Sequence, residues 1–484
     1  MAVILGAGRH DYDRPPKANP QAPQLHNSML SDFDYESDNS CEPPNKTPDF
    51  LSDPTWPSKT LAFLLEELEN TPEYDSQDNL RFGNDVINSL KLFTLDPEIV
   101  RPKLAQGQEW RRLYTDAVLL RCLNLLKERS SLGHSERSKS TGEWERAIQL
   151  LDQAIVLAGA PGEGRLELVL SCISYIQYWY LPLELANYSS QALISPPPLS
   201  LATNQVPEIT PPPPFSTFPA LARCPFVLPG FALSWPATTN WKSKKYLVEC
   251  AGRGRIVPIE RGGDYRTDDW SVELMPWNEF LDGIGWEEER NDAENLYLAQ
   301  HSLFTQFPKL RADIQVPDYV YTEPASHPCY TGPPGNDEQL VINAWCGGRG
   351  ANSPAHTDPY YNVYVQIVGY KSIWLAPPEA SPGMYAFASA SESPNQSHTQ
   401  GEPKRDPKRE GMMGNTSSID VFAFSAPDTN SNTFKVSHPL FFQCALPIAL
   451  STTLRPGDAL IIPPGWWHAM RAIGGGSFSV SFWF

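Results

Sequence analysis

Residues 353–371 of this 484-residue chain read Ser-Pro-Ala-His-Thr-Asp-Pro-Tyr-Tyr-Asn-Val-Tyr-Val-Gln-Ile-Val-Gly-Tyr-Lys, a strand-like run that opens on a His-x-Asp pair and closes on a lysine. Side chains two apart on extended backbone leave the same face, so His356 and Asp358 can reach one ion while Thr357 points away. A third ligand must come from a distant strand, because two imidazoles and a carboxylate leave three positions on octahedral Fe(II) open for an oxidant and a co-substrate. His468 is the candidate, since it ends an apolar strand and Pro-Gly turn, Ala459-Leu-Ile-Ile-Pro-Pro-Gly-Trp-Trp-His. A lone His-x-Asp fits ordinary turn chemistry as well as a metal site. Asn362, Lys371, His468 and the alternating final strand, Ser477-Phe-Ser-Val-Ser-Phe-Trp-Phe, together favour the metal.

That final strand divides cleanly by face. Phe478, Val480 and Phe482 point one way and Ser477, Ser479, Ser481 and Trp483 the other, so a small polar face lines a cavity while the Phe face packs outside it. Asn362 and Gln366 likewise share a face, opposite Val363, Val365 and Ile367.

The chain before this region changes texture several times. Residues 1–55 are polar, carry the acidic patch Asp32-Phe-Asp-Tyr-Glu-Ser-Asp38 and are expected to be a disordered tail. Residues 56–192 are expected to form a helical domain, with Trp110, Leu113, Tyr114, Ala117 and Leu120 in one stripe, Leu123 at its edge, and Trp144, Ile148, Leu151 and Ile155 in another. Ser140 and Glu143 make a capping box ahead of the second stripe, and residues 166–180 give a further apolar helix. Proline clusters at 196–198 and 211–214 mark residues 193–217 as a stiff linker. From residue 218 to the last residue the pattern is sheet-dominated, interrupted at about 381–435 by a long loop that contains His398 and the basic run Lys404-Arg-Asp-Pro-Lys-Arg409.

A formal charge of -18 argues against direct nucleic-acid binding and for basic polypeptide partners, although solubility alone also accounts for it. The eight scattered cysteines show no C-x-x-C pair or disulfide cadence, so reduced thiols are expected. With no signal-peptide core at the start and no apolar run of membrane-spanning length, no membrane partner is expected, and the nucleus or cytoplasm is the expected compartment.

Several of these motifs carry a family likeness. Tyr297-Leu-Ala-Gln-His301, Ile342-Asn-Ala-Trp345, Ser353-Pro-Ala-His-Thr-Asp-Pro, Val365-Gln-Ile-Val-Gly-Tyr-Lys371, Trp467-His468 and Ser477-Phe-Ser-Val-Ser-Phe-Trp483 resemble the JmjC (jumonji-C) family of Fe(II)- and 2-oxoglutarate-dependent oxygenases. The helical region, with Glu109-Trp-Arg-Arg-Leu-Tyr and Gly142-Glu-Trp, more faintly resembles the amino-terminal part of one branch of that family. The resemblance implies an α+β chain, in which a double-stranded β-helix (jelly-roll, cupin-like) barrel follows a helical domain. It implies iron held by His356, Asp358 and His468, with 2-oxoglutarate and O2 as co-substrates. Lys371 is the natural counter-ion for the far carboxylate, a charge too costly to bury alone, and the resemblance adds Tyr297, Ser353, Asn362 and Trp483 to the pocket.

On the substrate side, Glu260 can accept a bidentate guanidinium, while Tyr265, Trp270 and Trp345 offer aromatic faces. A surface carboxylate beside core tryptophans is the competing structural reading. The expected function is hydroxylation of a basic, arginyl, residue in a polypeptide. N-methyl-lysine demethylation is the alternative enzyme, and a non-catalytic JmjC-like scaffold the alternative of another class.

Overall fold

The computed structural model describes residues 49–69, 107–130, 141–182, 204–262, 264–267, 269–286, 295–387, 413–423 and 431–484. Most of the acidic tail, Ser140, the 196–198 prolines, Asp268, His398 and the 404–409 basic run lie outside them. The chain divides into two compact units, Met1–Glu184 with Gly252–Ile256, and Leu185–Ala251 with Val257–Phe484.

The first unit is helical: α1 (Asp49–Ser52), α2 (Trp56–Glu69), α3 (Gln108–Ser130), α4 (Thr141–Val156) and α5 (Arg165–Trp179). Its core collects Tyr114, Leu120, Leu123, Trp144, Ile148, Leu151 and Ile155, the residues that recur at helical spacing, and Cys172 and Ile176 of α5 join them. Helical structure begins earlier than residue 56, because Leu51 is in this core and the Trp179 indole N–H donates to the Leu51 carbonyl at 2.8 Å. Gly252–Ile256 belongs here through Asp152, whose buried carboxylate accepts the Arg255 guanidinium at 2.7–3.0 Å and the Ile256 N–H at 2.9 Å.

The second unit is an eleven-stranded sheet: β1 (Asn204–Gln205), β2 (Phe226–Leu228), β3 (Ile256–Arg261), β4 (Ser271–Pro276), β5 (Leu296–His301), β6 (Val341–Gly347), β7 (Asn352–His356), β8 (Asn362–Ala376), β9 (Leu450–Leu454), β10 (Ala459–Ile462) and β11 (Trp467–Trp483). Two long strands organise it. The first part of β8 pairs with β10 and its last part with β9, while β11 pairs with β7 at its start, β6 at its end and β8 on the other side. Each long strand therefore serves both halves of a jelly roll. They bend together at Gly369 (φ 74°) and residues 474–476, where the β8–β11 register shifts; a Cβ at Gly369 would collide with the Gly476 carbonyl. Gly369 thus kinks a continuous strand.

The faces of β11 separate as the alternation predicts. Phe478 packs on Trp241 (ring centroids 4.5 Å) and Phe482 on Trp235 (6.2 Å), whereas Ser481 accepts the Trp345 indole N–H at 2.9 Å on the other face.

Two expectations change. The end of the expected linker is part of the sheet: β1 runs parallel to β9, Val206 is buried, and the Val227 N–H donates to Pro207 at 2.8 Å. The described parts of the long loop expected at about 381–435 do more than connect strands. Met384, Ile419, Val421 and Phe422 pack with Phe441, Trp374 and Trp467 into a core of their own over Ala355 and Ala469. These apolar residues are spaced irregularly among polar ones, so neither helical nor strand periodicity marks them.

Candidate metal centre and its pocket

β7 ends at His356, and β11 places His468 opposite it as its cross-strand partner, with ring centroids 4.2 Å apart. Asp358 lies just past the end of β7, where its carbonyl accepts the Gly465 N–H at 2.8 Å. Its Oδ2 is 3.8 Å from His356 Nε2 and 3.4 Å from His468 Nε2, and one ligand atom from each residue falls within 4.8 Å of the others. His356 Nδ1 is 2.7 Å from the Pro354 carbonyl and His468 Nδ1 2.9 Å from the Trp466 carbonyl. A carbonyl only accepts, so both imidazoles carry a proton on Nδ1, which leaves Nε2 as the ring nitrogen that faces Asp358. Burial, reinforced by His468, lowers His356 to about 4. Burial opposes ionisation of Asp358, but the two imidazoles outweigh it and hold the carboxyl below its usual range. Neutral imidazoles and an ionised carboxylate are the forms a divalent ion needs.

A bulge sets the next residue. From His468 to Met470 is two steps on β11, but their partners, His356 and Ser353, are three apart on β7. The extra residue turns Ser353 to the metal side despite its odd spacing, and its hydroxyl lies 3.4 Å from the Tyr297 hydroxyl. Lys371, 1% exposed, donates to Tyr297 at 3.1 Å and to Tyr364 at 2.6 Å, and burial lowers it to about 7. Asn362 and Trp483 are cross-strand partners whose buried Oδ1 and Nε1 lack hydrogen-bond partners among the described residues. An unmatched buried acceptor and an unmatched buried donor on paired strands suit a polar ligand that supplies the missing bonds.

A model of the cupin-like domain matches residues 214–484, more than half the chain. The chain belongs to the cupin-like domain family. It is 35% identical over 250 residues to Jumonji C domain-containing protein 5 of Drosophila melanogaster, covering 51% of each chain. It is 36% identical to Lysine-specific demethylase 8 of Xenopus tropicalis (54% of this chain, 47% of the relative) and 32% identical to Lysine-specific demethylase JMJ30 of Arabidopsis thaliana (54% and 50%). The JmjC likeness read from the motifs therefore stands, and the chain spans about half the length of the curated relatives it matches.

Glu260 in β3 is the cross-strand partner of Tyr297 and shares its face. Its Oε2 accepts the Trp270 indole N–H at 3.0 Å, its buried Oε1 has no partner among the described residues, and burial, against the Trp270 bond, raises the carboxyl to about 7. Glu260 is thus not the surface carboxylate of the structural reading. Trp345 is a buried neighbour of Tyr297 (centroids 6.3 Å), with its N–H already given to Ser481. Tyr265 is half-buried, 3.1 Å from the Thr416 hydroxyl, and burial, with Asp264 and Asp358 nearby, pushes its phenol upward.

Three residues escaped the sequence reading. Tyr364 shares a strand face with Asn362 and Gln366, so the same alternation contains the signal. Asn343, two before Trp345 on β6, is buried with an unpartnered Nδ2 among the described residues. Thr416 had no legible signal, because only the packing of the insertion brings it to the site.

Proposed function

We propose that this chain is an Fe(II)- and 2-oxoglutarate-dependent oxygenase that hydroxylates a basic residue, arginine in particular, of a polypeptide. His356, Asp358 and His468 would hold the iron, where O2 would be the oxidant and 2-oxoglutarate the reducing co-substrate for putting one oxygen into a C–H bond. Lys371 would receive the far carboxylate of 2-oxoglutarate, with Tyr297, Tyr364 and Ser353 fixing its position and Asn362 and Trp483 offering the unmatched acceptor and donor nearby.

The observation that carries the choice of substrate is Glu260: a buried carboxyl with one oxygen oriented by Trp270 and the other unpartnered among the described residues. A planar guanidinium can complete it with two parallel N–H bonds, whereas a methylated ammonium is better held by several aromatic faces. N-methyl-lysine demethylation is the second reading, favoured by the names of two of the relatives. Incubating the protein with Fe(II), 2-oxoglutarate and a peptide pool bearing arginine and methyl-lysine, followed by mass spectrometry, separates the two. Gain of one oxygen on an arginine supports the proposal, and loss of a methyl group supports demethylation. Absence of succinate with every peptide supports a binding scaffold instead.

A further inference from the structure

Residues 415–419, inside the insertion, join the metal-ligand strand to the loop that follows β3. On the first side, Thr416 bridges His356 in antiparallel fashion, the Thr357 N–H donates to Asn415 at 3.0 Å, Asn415 Nδ2 donates back to the Thr357 carbonyl at 2.8 Å, and the Ser417 N–H donates to Ala355 at 2.8 Å. On the second side, the Tyr265 and Thr416 hydroxyls are 3.1 Å apart. Arg266, paired with Asp264 at 2.6 Å, donates to the carbonyls of Ser417 at 3.0 Å and Ile419 at 2.9 Å. Cross-strand partners share a face, so the Thr416 side chain, 2% exposed, emerges on the same side as the His356 imidazole.

We propose that Thr416 is a positioning residue: its hydroxyl fixes the Tyr265 ring as the wall against which the basic target side chain lies, next to Asp358. This inference rests on the reading of the site as an oxygenase acting on a basic polypeptide residue. The backbone around Thr416 is bonded on both edges, since its carbonyl also accepts the Phe387 N–H at 3.0 Å, so the hydroxyl is a fixed point. Asn415 Oδ1, which can only accept, lies 3.4 Å from Thr416 Oγ1; that contact directs the Thr416 proton to Asn415 and leaves Oγ1 to accept from Tyr265. The insertion thereby supplies part of the specificity of a site whose metal ligands lie on other strands.

Thr416→Val keeps the shape and removes the hydroxyl, whereas Thr416→Ser keeps the hydroxyl and loses a methyl. With the full chain, Fe(II) and an arginine peptide, Thr416→Val is expected to raise the peptide KM about tenfold, while the 2-oxoglutarate KM moves less than about twofold. Thr416→Ser should return the peptide KM to within about twofold of wild type, and Tyr265→Phe should raise it less in the Thr416→Val background than in the wild type, because both changes break the Tyr265–Thr416 bond. Equal rises in both KM values, failure of the Ser variant to rescue, or additivity in the double variant overturns the inference alone. If the wild-type protein oxidises no basic peptide, the functional reading falls and this inference with it. If it demethylates methyl-lysine instead, the same ratios read on that peptide decide the role of Thr416.

Discussion

Two buried charges flank Tyr297, and the barrel treats them in opposite ways. Lys371 is solvated from within, by the hydroxyls of Tyr297 and Tyr364, and forms no ion pair among the described residues. Glu260 receives a single indole N–H and keeps one oxygen without a partner among the described residues. Burial pushes both toward neutrality, Lys371 down to about 7 and Glu260 up to about 7. A fold that needed these charges only for stability would pair them, because a lone buried charge is expensive. Leaving each without a counter-ion makes the lysine end complementary to an anion and the glutamate end to a cation.

The strongest way to break this contrast is Lys371→Met. Loss of this buried cation is worth about 3 kcal/mol, so the 2-oxoglutarate KM should rise more than a hundredfold, read from succinate formation, with the peptide KM little changed. A rise of less than tenfold would mean that the anion sits elsewhere. Glu260→Gln should do the reverse: about 2 kcal/mol, or roughly thirtyfold, on the KM of an arginine peptide, with the 2-oxoglutarate KM held, because the amide oxygen still accepts from Trp270 but no longer carries charge.

The pH profiles should separate with opposite signs. Lys371 binds a carboxylate only when protonated, so the 2-oxoglutarate KM should climb as pH rises through about 7. Glu260 binds a cation only when ionised, so the peptide KM should fall as pH rises through about 7. Each change is about tenfold per pH unit at most on its sloping side. Parallel profiles would assign both effects to one group. The smallest expected effect is Tyr364→Phe, which removes one hydroxyl from the shell of Lys371; about 1 kcal/mol, or fivefold, in the 2-oxoglutarate KM is expected, with nothing at the glutamate end.

What could be read in the sequence was local. Strand alternation separated the Phe face of β11 from its serine face, helical spacing picked out Tyr114, Leu123, Trp144 and Ile148 as core, and residue chemistry chose His356, Asp358 and His468, which the fold brings within 4.8 Å of one another. The family motifs added Tyr297, Ser353, Asn362 and Trp483, and on spacing alone Ser353 should point away from His356.

Tertiary structure decided the rest. The bulge that returns Ser353 to the metal side exists only in the pairing of β7 with β11. The placement of Thr416 beside His356 depends on an insertion whose apolar residues find their core only against Ala355, Trp467 and Ala469. The unpartnered oxygen of Glu260 follows from what packs around it, not from its neighbours in the chain. Periodicity is a property of one segment, whereas register, burial and the absence of a counter-ion are properties of two or more segments in contact, so they arise only when the chain has folded.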